Sequence, residues 1–220
     1  MPPIKDITKQ EFVYNEIKNR ILSNEYSQGK MLSERMMCKE LGVSRTPVRE
    51  AFMRLASTGL VKIIPHQGIS VSNFSVENLV ELYELREALE KMAIKLFIMK
   101  MEDSQVLPLQ ESLERQKEIV TNEETGRFID YDIDFHRHIT DGSRNKRIAK
   151  DLSDLFDLIY LFFPLVASPI VLKKSIKQHE VIIQAISERD VEKAEHAMVE
   201  HINYIKNIQV ASIKGNVSED

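Results

Sequence analysis

Apolar residues in the first third of the chain recur at helical spacing and then switch to alternation. Val13, Ile17 and Ile21 sit one turn apart, which predicts a helix over about residues 10–23. The polar stretch NEYSQGK follows as a loop. Ser33 can cap a second, short helix with Met37, Cys38 and Leu41 facing inward, and Gly42 ends it. Ser44 can cap a third helix. Pro47 falls in its first turn, where a missing N–H costs nothing. Val48, Ala51, Phe52 and Leu55, at i, i+3, i+4 and i+7, form its buried stripe. After Gly59, LVKII and GISVSNF alternate as strands do around the turn PHQG. Three helices followed by a hairpin is the plan of a winged helix-turn-helix.

From about residue 75 the pattern is helical throughout. Six helices are expected, at roughly 75–100, 103–121, 124–142, 145–163, 169–188 and 190–210. The expected fold is therefore mainly α. A winged helix-turn-helix occupies residues 1–74, an all-α bundle residues 75–212, and a flexible tail residues 213–220.

Composition narrows the class. Of 220 residues, 43% are hydrophobic and 29% charged, as in ordinary globular proteins. The lone cysteine, Cys38, excludes an intrachain disulfide and a cysteine-rich zinc module. The start MPPIKDITKQ lacks the pattern of a signal peptide. The longest apolar run, Leu158 to Leu172, is too short for a bilayer and holds Pro164 and Pro169, so a cytoplasmic protein without membrane contact is expected. The net charge of -4 hides an asymmetry: residues 1–73 carry 11 Lys and Arg against 7 Asp and Glu, and the remainder 19 against 27. A basic first third suggests a domain that meets an anion.

On the third helix, Arg45, Thr46 and Arg49 fall opposite the buried stripe, near the helix N-terminus. Two guanidiniums one turn apart, beside a hydroxyl and a positive dipole end, suit phosphates and guanine edges. In a helix-turn-helix these are the positions that enter the major groove. The same pattern also fits a solvated basic face with Arg49 paired to a nearby Glu.

In the second domain, helical phase sorts the histidines. Phe128, Asp132, Phe135, His136 and Ile139 share one face, while Asp134 and His138 lie on the other. His179 lies on the stripe Leu172, Ile176, Ile183 and Ile186. His201 lies with Ala194, Ala197, Met198, Ile205 and Ile208, and His196 falls off that stripe. A single inward histidine is ordinarily a hydrogen-bonded core residue. Three of them with one inward aspartate suit zinc, nickel, manganese or iron(II).

Two resemblances extend this reading over nearly the whole chain. LSERMMCKELGVSRTPVREAFMRLASTGLVKIIPHQGISV, with its core VSRTPVREA, resembles the DNA-binding domain of GntR-type bacterial repressors. That resemblance implies DNA contacts from Arg35, Ser44, Arg45, Thr46 and Arg49, and a wing tip at His66, Gln67 and Gly68. YELREALE, DIDFHRHI and HEVIIQAISERDVEKAEHAMVEHI resemble the FCD domain of the FadR branch of that family. There the ligands of metal-binding members map onto Asp132, His136, His179 and His201, implying a divalent ion, zinc first. Departures appear as well: Arg147 stands at the start of the helix after the SRN junction, but no arginine follows from Leu152 to Leu165. That argues against a small, highly charged effector. Phe162 and Phe163 either pack in the core or a dimer interface, as such side chains ordinarily do, or line a more apolar pocket. Arg86 is expected either to touch the effector or to pair with Glu90 at i, i+4.

The resemblance implies a homodimeric regulator, a repressor, that reads a palindromic operator in double-stranded DNA. A small organic acid at the metal site would control its operator affinity. Two rivals remain at this point. One is a metal-dependent enzyme, which leaves SRTPVRE unexplained. The other is a regulator whose metal is itself the signal, or only a structural staple.

Overall fold

The computed structural model describes residues 8–217, and the chain divides into two compact units, Met1–Phe74 and Ser75–Asp220. The first unit contains α1 (Lys9–Leu22), β1 (Met31–Leu32), α2 (Glu34–Leu41), α3 (Arg45–Ser57), β2 (Val61–Ile64) and β3 (Gly68–Val71). Val13, Ile17 and Ile21 of α1 are buried, as are Val48, Ala51, Phe52 and Leu55 of α3, and these two helices pack on each other. Burying each large apolar side chain contributes about 1.5–3 kcal/mol, so this stripe holds the unit together. Ser33 Oγ accepts the Met36 N–H at 3.2 Å, and Gly42 closes α2 in the left-handed region at φ 65°. Met37 is buried as expected, whereas Cys38 and Leu41 are only half-buried, because a helix of 8 residues presents one narrow inner edge.

The sheet has three strands in the order β1-β3-β2, all antiparallel. The sequence reading anticipated only the hairpin. β1 is 2 residues long, too short to show alternation, and pairs through Met31 with Ser70 and Leu32 with Ile69. β3 ends at Val71, short of the Phe74 that the pattern set.

The second unit contains α4 (Val76–Lys100), α5 (Leu107–Thr121), α6 (Phe128–Gly142), α7 (Lys146–Tyr160), α8 (Pro169–Ser187) and α9 (Val191–Val217). Ser75 and Asn78 form a capping box at the start of α4. Two of the six helices begin later than their spacing implied, because single 3-10 turns at Asp103–Val106 and Thr125–Arg127 precede them. α7 stops at Tyr160, and Pro164 sits in a further 3-10 turn, Phe163–Leu165. α9 runs on to Val217, through the first part of the segment read as a tail; residues 218–220 lie outside those described. α4 packs against α6, α7 and α9, while α8 packs against α5 and α9. α4 and α6 approach closely at Gly142, where a Cβ would fall 2.3 Å from ring carbons of Phe97. No helix among the described residues is long and apolar enough to cross a membrane.

Candidate functional site

Two constellations carry chemistry, one in each unit. In the first unit, Arg45, Thr46 and Arg49 are exposed at the start of α3, and Arg35 is exposed on α2. Ser44 occupies the N-cap position, yet its side chain makes no capping hydrogen bond, so the cap expected from sequence is positional only. Arg49 is held by Glu34 in a fork: Nε stands 3.0 Å from Oε1 and Nη2 3.2 Å from Oε2. The Arg49 guanidinium holds the Glu34 carboxyl below the usual range, with Arg45 adding to the effect. Arg49 is thus paired to a nearby Glu, and 67% of its side chain is exposed.

The hairpin tip is a tight turn in which the Gln67 N–H donates to Ile64 O at 3.1 Å. His66 and Gln67 are exposed, and His66 sits in the left-handed region at φ 64°. Gly68 has φ 117°, a conformation side chains rarely adopt, and a Cβ there would meet the Leu32 carbonyl oxygen of the neighbouring strand at 3.4 Å.

In the second unit, α6, α8 and α9 each turn a histidine into the bundle. His136, His179 and His201 are at most 1% exposed, and Asp132 joins them one turn before His136. One ligand atom from each of the four lies within 4.8 Å of the others. His179 Nε2 stands 3.3 Å from His201 Nε2 and 3.6 Å from Asp132 Oδ1, while His136 Nε2 stands 3.9 Å from Asp132 Oδ2. His138 and His196, which helical phase placed outside, are exposed.

The tautomers follow from the outer partners. His179 Nδ1 faces Gln116 Oε1 at 2.8 Å, and His201 Nδ1 faces Gln178 Oε1 at 3.4 Å. His136 Nδ1 is bonded to the carboxylate of Glu90. Each Nδ1 therefore carries the proton, and each Nε2 presents a lone pair to the centre. Two bare nitrogens 3.3 Å apart repel unless a cation lies on both. Ligands about 2.0–2.1 Å from a shared tetrahedral ion stand roughly 3.3–3.4 Å apart, so the donor set fits a divalent metal. Burial drives His179 and His201 well below the usual imidazole range, with the Arg86 charge adding to it, which keeps both in the neutral ligand form. Burial raises the Asp132 carboxyl against the pull of Arg86.

Arg86 and Glu90 do form the expected pair, at 2.5 Å, but it is fully buried and extends further. Arg86 Nη2 donates to His136 Nε2 at 3.0 Å, giving a chain Arg86–Glu90–His136 closed on both ring nitrogens. Burial pushes the Glu90 carboxyl up, but the Arg86 charge and the hydrogen bonds from His136 and Arg86 outweigh it and hold it below the usual carboxylate range.

Arg86 and Asp132 also line a cavity of about 20 Å³, bounded by Phe163, Tyr83, Ser175 and Gln209. The Tyr83 hydroxyl, Ser175 Oγ and Gln209 Oε1 are buried there without a hydrogen-bond partner. Phe163 lines this cavity, whereas Phe162 is buried away from it in the core. Sequence reasoning missed Gln116, Gln178, Tyr83, Ser175 and Gln209. Gln116 had a readable signal, since it follows Leu109 and Leu113 on the inner stripe of α5 and is 0% exposed.

An all-helical bundle with an inward His/Asp centre, preceded by a winged helix-turn-helix, defines a class of DNA-binding regulators. The chain matches the model of bacterial regulatory proteins of the gntR family over residues 9–71 and that of the FCD domain over residues 81–204. It belongs to the gntR family, in its FCD-bearing form, and is a transcriptional regulator rather than an enzyme. It is 27% identical over 193 residues to the HTH-type transcriptional regulator YdhC of Bacillus subtilis, covering 87% of this chain and 86% of that one. It is 28% identical over 207 residues to the HTH-type transcriptional repressor RspR of Escherichia coli, covering 92% and 89%. Its fold is similar to that of E. coli McbR/YncC, with a TM-score of 0.80 at 23% identity over 92% of this chain and 97% of the other.

Proposed function

We propose that this regulator is a cytoplasmic repressor that binds a palindromic operator as a homodimer and is controlled from the His/Asp centre. Exposed Arg45, Thr46 and Arg49 at the start of α3, with Arg35 and Ser44 beside them, supply the base and phosphate contacts. His66, Gln67 and Gly68 form the wing tip, where the narrow Gly68 backbone approaches the minor groove. The name of RspR as a repressor supports the direction of control.

Asp132, His136, His179 and His201 would hold a divalent ion, with zinc favoured by three imidazoles and one carboxylate. Such an ion supplies a Lewis-acidic charge that a carboxylate can meet. The observation that carries this half is the cavity sharing Arg86 and Asp132 with the centre and holding three unpartnered polar atoms. Its walls suit a small organic acid with an apolar body and a hydroxyl or amide partner. A cavity of about 20 Å³ has room for one water, so ligand entry requires part of its wall to move, and that wall includes Phe163 in its short 3-10 turn. That displacement couples ligand occupancy to the bundle and biases the dimer between two geometries.

The same small volume favours a second reading in which the metal itself is the signal. A gel-shift titration on the gene's own upstream region separates the two, run with metal-free protein, with zinc, and with zinc plus candidate monocarboxylates. A shift relieved only by zinc plus acid supports the first reading. Relief or tightening by zinc alone supports the second, and no shift at low salt overturns the DNA-binding role.

A further inference from the structure

The three buried side-chain oxygens that lack a partner among the described residues lie on one side of the His/Asp centre. Tyr83 precedes Arg86 by one turn of α4, Ser175 precedes His179 by one turn of α8, and Gln209 follows His201 by about two turns of α9. α4 and α9 run antiparallel, as the contacts Glu87–Asn203 at 2.8 Å and Lys91–Glu195 at 3.8 Å show. α8 and α9 form a hairpin through residues 188–190. Moving toward the start of α4 and α8 and toward the end of α9 therefore leads the same way. The cavity beside Arg86 and Asp132 has a charged end at the centre and a neutral end at Gln209, whose backbone lies about 12 Å from that of His201 along α9 at roughly 1.5 Å per residue.

The hydrogen-bond polarity of the neutral end is fixed. Gln209 Nε2 donates to Phe162 O at 3.2 Å, and turning the amide over would set two acceptors against each other. Its Oε1 is therefore an acceptor that calls for a donor. A buried helical serine commonly returns its proton to a carbonyl one turn earlier, but Ser175 Oγ makes no such bond. With the Tyr83 hydroxyl it offers two donors. One acceptor and two donors are the complement of a single hydroxyl group, which carries one proton and two lone pairs. The space of about 20 Å³ takes one oxygen-sized group before the wall moves. Among the described residues no charged side chain other than Arg86 and Asp132 lines the cavity, so a second carboxylate or an ammonium at the far end would be buried without an opposite charge. The rest of the lining is apolar and includes Phe128, Phe163 and Ile205.

We infer that the ligand of this cavity is a monocarboxylic acid with one neutral hydroxyl remote from the acid group, and that Gln209, with Tyr83 and Ser175, selects for that hydroxyl. The inference rests on the reading of the cavity as a carboxylate site and deepens it. The acid group goes to the Arg86 end, the apolar body lies along the phenylalanine and isoleucine walls, and the hydroxyl meets Gln209. Dicarboxylates and unsubstituted acids are discriminated against, the first by buried charge and the second by polar atoms left unpaired.

Calorimetric titration of the zinc-loaded full-length protein tests it with two matched series. One is hexanoate, ω-hydroxyhexanoate and adipate; the other is phenylacetate, para-hydroxyphenylacetate and para-carboxyphenylacetate. In the series whose body fits, the hydroxy acid is expected to bind about tenfold tighter than its parent or better, and the dicarboxylate weaker than either. Gln209→Met is expected to erase the hydroxyl advantage while leaving the parent acid's affinity unchanged. Tyr83→Phe and Ser175→Ala remove no hydrogen bond that the fold makes, so each reduces the advantage in a folded protein even where Gln209→Met fails to fold. A hydroxy acid that binds no tighter than its parent, a dicarboxylate that binds best, or an advantage that survives all three substitutions overturns the hydroxyl site and leaves the carboxylate site standing. No binding by any of these acids overturns the carboxylate reading with it.

Discussion

The guanidinium of Arg86 stands 3.0 Å from Nε2 of His136, the atom with which that ring would hold a metal, while Glu90 grips the ring's other nitrogen. One lone pair cannot serve a guanidinium and an ion together. On the proposed function Arg86 would therefore compete with a bound metal for His136, and once displaced it would be placed to meet a carboxylate in the adjoining cavity.

Replacing Arg86 by Met removes that competitor and leaves Glu90 buried without its cation. Metal-free stability is expected to fall by about 3–5 kcal/mol in chemical denaturation. Glu90→Gln in the same background should recover most of the loss. Zinc affinity, read by chelator competition, should rise relative to wild type; an unchanged affinity would show that the guanidinium does not hold the ligand atom.

Gln116 orients His179 through the 2.8 Å contact to Nδ1 and is itself anchored by donating to Tyr131 O at 3.2 Å. Gln116→Leu should weaken zinc binding about 10–100-fold without changing the ligand count. Gln178→Leu, which loses a 3.4 Å contact, should weaken it less. His179→Ala should abolish the thermal shift that saturating zinc gives the wild type, a gain of about 2.7 kcal/mol at a hundredfold excess over Kd.

On the proposed DNA face, Glu34 would compete with operator phosphates for Arg49. Glu34→Gln should tighten binding to operator and random duplex alike, because it removes a negative charge and frees the fork. Arg45→Ala should cost about 1–3 kcal/mol on the operator and less on random DNA if its contact is to a base edge. Fluorescence anisotropy across a salt series distinguishes the cases, since a lost phosphate contact lowers the salt slope by about one.

Gly142 sets the spacing of α4 and α6. Adding one methyl group there drives it into the ring of Phe97, which is 1% exposed and has nowhere to go. Gly142→Ala should cost about 1–3 kcal/mol of stability. It should also weaken zinc binding, because Arg86 and Glu90 stand on one of those helices and Asp132 and His136 on the other.

What the sequence determined by itself is local. Periodicity alone separated inward His136, His179 and His201 from outward His138 and His196, because a helix of 3.6 residues per turn fixes which side chains share a face. The same rule placed Val48, Phe52 and Leu55 inside α3 and Arg45 and Arg49 outside. What only the tertiary structure decided is everything that joins residues distant in the chain. The pairing of β1 with β3 depends on a partner about forty residues away. The Arg49–Glu34 fork spans two helices, and the Arg86–Glu90–His136 chain and the Gln116–His179 contact depend on how helices cross. Phase tells a side chain which way to face; only packing fixes the axial height at which facing side chains meet, and hydrogen bonds and metal centres are decided by that height.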